Sequence, residues 1–140
     1  MDWTLEVVVV PVSDVDRAKE FYADQLGFAV DHDTKISDDL RVVQLTPPGS
    51  GCSIVVGKGV AKMPVGSLKG LQLVVADIEA ARAQLLERGV PVSEVQVLGE
   101  NPGPGTPADN VSFVYFDDPD GNSWAVQQIS ARADAPLLGS

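Results

Sequence analysis

Two stretches of this chain repeat one another in order, and that repeat limits the fold more than any single motif. Residues 8–31 and 71–93 each open on an apolar run, Val8-Val9-Val10-Pro11-Val12 and Leu71-Gln72-Leu73-Val74-Val75. Each then places an Asp two residues on, Asp14 and Asp77, followed by Val15 and Ile78, Asp16 and Glu79, Ala18 and Ala81. Each closes with glycine and a second strand-like run, Gly27-Phe28-Ala29-Val30 and Gly89-Val90-Pro91-Val92. A repeated supersecondary unit means that two copies build the core together. A chain of 140 residues fits one domain, or two small halves sharing a core.

The first helix starts at Ser13 and Asp16, which have the spacing of a capping box, and Asp77 offers the same to the second helix. Val15, Ala18, Phe21, Tyr22 and Leu26 recur at three- and four-residue steps, as do Ile78, Ala81, Leu85 and Leu86, so each helix has one apolar stripe. Tyr22 is expected to pack on that stripe with its hydroxyl at the rim. Gly27 and Gly89 stand where a helix end favours a left-handed residue. Three strands follow each helix, near residues 28–34, 40–46 and 52–57, then near 92–98, 111–116 and 123–130. Asp118-Pro119-Asp120-Gly121 has Pro and Gly where a type I turn favours them. Residues 99–110, with Pro102, Pro104 and Pro107, read as a surface loop or lid flanked by Glu100 and Asp109, expected to be solvated acids. The expected organisation is a first βαβββ module over residues 1–57, a linker over 58–67, a second module over 68–130 and a flexible tail over 131–140.

Acids outnumber bases, 20 to 10, with a net charge of −10. Solubility is the plain reading of that balance, and a cleft that attracts cationic ligands the sharper one. No clustered Lys/Arg face exists to bind phosphates, which argues against nucleic acid. Cys52 is the single cysteine, so no intrachain disulfide forms, in keeping with a reducing compartment. The chain opens without a basic and apolar leader, and no apolar stretch has the length of a membrane span. A cytoplasmic protein is expected.

The run Val12-Ser13-Asp14-Val15-Asp16-Arg17-Ala18-Lys19-Glu20-Phe21-Tyr22, followed by Leu26-Gly27-Phe28, resembles the opening of the glyoxalase/bleomycin-resistance/extradiol-dioxygenase (vicinal oxygen chelate) superfamily. Asp117-Asp118-Pro119-Asp120-Gly121-Asn122 resembles its second-module hairpin. The resemblance covers about residues 5–130 and implies an α+β fold: two βαβββ modules forming a curved mixed-sheet cup, helices on the convex side and ligands on the concave side. It also implies a divalent metal in the enzymes of the family, held by His on a first strand and Glu on a last strand. The matching positions here are Val7, Val55, Gly70 and Ala125, and none of these side chains can ligate a metal. No metal and no cofactor are therefore expected. His32, between Asp31 and Asp33, is the only histidine. Strand alternation turns both acids away from it, so a solvated histidine is expected rather than a ligand.

The same alternation assigns side chains to the cup: Val7, Val9, Ser53 and Val55 from the first module, and Gly70, Gln72, Val74, Ser123, Ala125 and Gln127 from the second. Gln44 and Phe116 are the candidates from the third strands. The proposed ligand-binding residues are thus Val7, Val9, Gln44, Val55, Gln72, Phe116, Ser123, Ala125 and Gln127. Small apolar walls with a few neutral hydrogen-bonding groups suit an organic ligand. Tyr115 and Trp124 are expected to build core, and Cys52 to pack as a small apolar residue. One His and one Cys leave no catalytic triad, and no phosphate loop is present.

The favoured reading is a metal-free binding protein that sequesters an antibiotic or another small organic ligand, a cationic one included. The alternative is an enzyme of the same superfamily, an isomerase, lyase or cyclase, or one of dioxygenase type, acting on a small organic metabolite. A purely structural or interaction role is the third. A homodimer is expected, because pairing across a two-fold covers exposed sheet edges.

Overall fold

The computed structural model describes residues 1–133. The element order is βαβββ twice over, giving an α+β fold of two four-stranded mixed sheets. Residues 134–140 of the expected tail lie outside the described residues, and Ser130–Ala133 form a 3₁₀ turn. The chain separates into two compact units, one of residues 1–68 with 118–122, the other of residues 69–117 with those from 123 on.

In the first unit, β1 (Val7–Val9), β2 (Ala29–Ser37), β3 (Leu40–Thr46) and β4 (Ser53–Lys58) form a sheet in the order β1-β4-β3-β2. β1 runs parallel to β4, and the other pairs are antiparallel. α1 (Val15–Glu20) packs on one face, where Val43, Leu45, Ile54 and Val56 join Ala18, Phe21 and Tyr22 in the core. Its N-cap is Asp14, whose carboxylate accepts from the Arg17 amide, rather than the expected Ser13. The Ser13 hydroxyl and amide instead donate to Asp120. After Glu20 the helix widens into a π-helical turn, Phe21–Gln25, and Gly27 leaves it with a left-handed φ of 79°.

The Tyr22 hydroxyl is not at the rim. The residue is fully buried and donates to Asp118 Oδ2 at 2.7 Å. The Asp118 carboxylate also accepts from the amides of Asp120 and Asn122 and from Asn122 Nδ2. Asn122 Nδ2 reaches the Pro11 carbonyl as well, and its Oδ1 accepts from the Leu68 amide. The Asp-Pro-Asp-Gly-Asn turn is thus an internally bonded plug in this unit, which accounts physically for its residue types.

In the second unit, β5 (Leu71–Val75), β6 (Gln96–Val97), β7 (Ser112–Asp117) and β8 (Ser123–Gln128) form the order β5-β8-β7-β6, again with one parallel pair, β5 with β8. α2 (Ile78–Glu87) is capped by Asp77, whose carboxylate accepts from the Ala80 amide. Its apolar stripe is buried unevenly: Ile78 is buried, Ala81 and Leu85 half-buried, and Leu86 is 47 % exposed. The strand expected over residues 92–98 shrinks to Gln96–Val97. Beside it the Ser93 hydroxyl accepts the Tyr115 amide hydrogen that a strand carbonyl would otherwise take. No helix among the described residues is long and apolar enough to cross a membrane.

Candidate functional site

Cross-strand pairing decides which side chains share a face. In the first unit Val7 pairs with Ser53, Val9 with Val55, and Gln44 with Val55. Val7, Val9, Gln44, Ser53 and Val55 therefore share the face opposite α1. Ser53 and Val55 are buried, and Gln44, Val7 and Val9 half-buried. Thr46 joins them through an Oγ1–Ser53 Oγ contact of 2.6 Å.

One acid is on this face against expectation. The β2–β3 ladder slips by one residue between Val30 and His32, so that His32 pairs with Gln44. The bulge frees Asp31 from strict alternation. Its Oδ2 accepts from Thr46 Oγ1 at 2.5 Å and from Gln44 Nε2 at 3.3 Å, which puts the carboxylate on the Gln44 side. Asp33 points away from His32 as expected, which turns it to the helix side, where it pairs with Val43. There Arg41 and Lys19 bond it and hold its carboxyl well below the usual carboxylate range. His32 is exposed, with Nδ1 3.4 Å from the Thr34 hydroxyl.

In the second unit Gln72 pairs with Ala125, Val74 with Gln127, Phe113 with Gln127, Tyr115 with Ala125, and Asp117 with Ser123. Gln72, Ser123, Ala125 and Gln127 share one face, and Gln72 Nε2 donates to Gln127 Oε1 at 2.8 Å. Gln127 Nε2 in turn donates to the Asn110 carbonyl, and Ser123 Oγ to Asp117 Oδ1. Phe116 does not belong with them. It pairs with Trp124, stacks on that indole with ring centroids 6.0 Å apart, and is 4 % exposed on the α2 side. Its place is taken by Phe113 and Tyr115, whose stacked rings are 6.2 Å apart, with Tyr115 37 % exposed rather than in the core. Counting back from the 118–122 turn, with Asp117 facing Ser123, gives this parity from sequence.

The positions that the resemblance matches to the superfamily's metal ligands carry no ligating group. Val7 faces Ser53, Val55 faces Gln44, and Ala125 faces Gln72, while Gly70 precedes β5 without a side chain. Among the described residues no group of three or more His, Cys, Asp or Glu is arranged to hold a metal ion. This donor set does not fit a divalent metal.

Among the described residues two acids are buried, Asp118 and Asp109, and each is hydrogen-bonded within its own unit. Asp118 is filled by the turn. Asp109, expected to be a solvated loop acid, is 2 % exposed. It accepts from the Ser130 hydroxyl and amide, from Gln128 Nε2 and from the Thr106 amide and hydroxyl. These donors, Ser130 foremost, hold its carboxyl well below the usual range.

The profile of the Glyoxalase/Bleomycin resistance protein/Dioxygenase superfamily matches residues 4–126. Among solved structures the chain is similar to TnmS3, an antibiotic binding protein from Streptomyces sp. CB03234, at 35% identity and a TM-score of 0.71, over 91% of this chain and 96% of that one. It is similar to a glyoxalase/bleomycin resistance protein from the same strain at 36% identity and a TM-score of 0.69, over 89% and 100%. UcmS2 is 25% identical, with a TM-score of 0.70 over 92% and 100%. A search of the curated proteins finds no match. A repeat of βαβββ units, the two signature segments and a match over nearly the whole chain lead to one conclusion: the chain belongs to the glyoxalase/bleomycin resistance protein/dioxygenase superfamily.

Proposed function

We propose that this protein binds and sequesters a small organic molecule, an antibiotic being the candidate class, without a protein-held metal. One observation carries the reading. Two of the superfamily's metal-ligand positions bear hydrocarbon and face a glutamine across the sheet, Val55 facing Gln44 and Ala125 facing Gln72. On each unit by itself, such a face suits an apolar group decorated with neutral hydrogen-bonding groups. The 35% identity with an antibiotic binding protein supports it. So does the state of the buried acids: Asp109 and Asp118 are saturated by donors on their own units, which leaves an isomerase, lyase or cyclase without an evident buried acid or base. Phe113 and Tyr115 replace Phe116 in the proposed ligand-binding set, beside Val7, Val9, Gln44, Val55, Gln72, Ser123, Ala125 and Gln127.

The test is a thermal-shift screen against antibiotics and divalent metals, with and without EDTA. A ligand at a hundredfold excess over its Kd adds about 2.7 kcal/mol to stability. A rise in Tm with an organic ligand, indifferent to EDTA, is expected. Strong stabilisation by a metal, abolished by EDTA, would return the chain to the metalloenzymes. We propose further that the protein is a homodimer, since β2 and β6 are sheet edges and β2 is exposed along its whole length. Light scattering on the eluting protein should give twice the 14.8 kDa chain mass.

A further inference from the structure

We infer that Asp31 makes this site selective for ligands bearing a positively charged nitrogen; the inference rests on the binding reading above. The β-bulge between Val30 and His32 turns this carboxylate onto the face of Gln44 and Ser53, which alternation would have denied it. Bulges beside sites commonly re-aim one side chain in this way. Thr46 and Gln44 then fix Oδ2, and Thr46 is itself tied to the buried Ser53, so the polar line runs Asp31–Thr46–Ser53 across three strands.

Among the described residues no ion pair matches the charge on Asp31. The ion pairs among the described residues join Arg17 to Asp120, Lys19 and Arg41 to Asp33, Arg41 to Asp16, and Lys35 to Asp38. The basic groups of this sheet are therefore engaged elsewhere: Arg41 on the α1 side, and Lys58 at the Asp38 carbonyl. His32 is the one other titratable group that pairing places on this face. A fixed carboxylate with no ion-pair partner, on a surface whose other groups are valines, hydroxyls, an amide and the exposed His32, is complementary to an ammonium or guanidinium group. Both bonds recorded for Asp31 are donated to Oδ2, so Oδ1 is the atom offered to the ligand.

The experiment is calorimetric titration of wild type and Asp31→Asn with doxorubicin and puromycin, each beside its N-acetylated, uncharged form. A hydrogen bond to a charged group leads us to expect about a tenfold preference of wild type for the amine over the acetamide. Asp31→Asn should erase that preference and leave the affinity for the acetamides unchanged. Equal affinity of wild type for both forms, or a preference that survives in Asp31→Asn, overturns the role of Asp31 while leaving the binding reading in place. If no compound of either charge binds wild type, the binding reading fails and this inference with it. Because Asp31 is exposed, an unchanged Tm of the unliganded variant verifies that folding is not the cause.

Discussion

The Tyr22 hydroxyl and the Asp118 carboxylate show how much one buried pair matters. Tyr22→Phe removes one of four donors to Asp118 and leaves the ring contacts with Phe21 and Phe28 in place. The expected loss is about 1–2 kcal/mol, measured by urea denaturation. Gly105 is a second sensitive position. Its φ is +103°, and a Cβ there would sit 2.3 Å from Asp109 Oδ2. Gly105→Ala should therefore lower Tm and loosen the 99–110 loop, seen as faster amide exchange at Thr106 and Ser130, whose amides bond Asp109. Neither site announces itself in the sequence. Tyr22 looks like one more member of a helical stripe, and Asp109 like one more acid in a Pro/Gly loop. Their partners lie 96 and 21 residues away.

Within the elements, local rules hold wherever the chain supplies its own partners. Asp14 and Asp77 cap the two helices from one residue outside, and Asp14→Ala or Asp77→Ala should each cost about 1 kcal/mol by thermal or chemical melting. Alternation correctly assigns both faces of β1, β4, β5 and β8. It fails on β2, where a bulge inserts an extra residue, and on β7 the expected Phe116 gives way to Phe113 and Tyr115, the phase that the 118–122 turn sets. A strand's parity is set by its first paired residue, and one bulge inverts everything beyond it. β4 is one of the two inner strands of its sheet, with five successive buried residues, Ser53 to Gly57. Val56→Ala, at a position with no exposure, should cost about 2–3 kcal/mol.

At the scale of the molecule, acid is the lever. The folded chain holds the carboxyls of Asp33 and Asp109 below their ordinary value of 3.8. Their ionised forms therefore stabilise the fold at neutral pH, and that contribution is lost as pH falls below 3.8 toward the depressed folded values. Urea midpoints measured from pH 6 downward should decline through this range, and Asp109→Asn should flatten the decline while lowering stability at pH 6. A variant whose pH profile matched wild type would show that Asp109 does not contribute to acid lability.

The order of elements, the Asp77 cap, the left-handed glycines Gly27 and Gly89 and the two βαβββ modules were all determined by sequence alone, because periodicity, capping and turn chemistry act over a few neighbouring residues. The absence of a ligating side chain at Val7, Val55, Gly70 and Ala125 is likewise a matter of residue identity. Tertiary structure decided the rest. It buried Tyr22 against Asp118 and Asp109 against Ser130, and turned Asp31 toward Gln44. Each of these depends on a partner beyond the reach of local rules or on a bulge that shifts the register, and both are set by the packing of the unit rather than by any local preference.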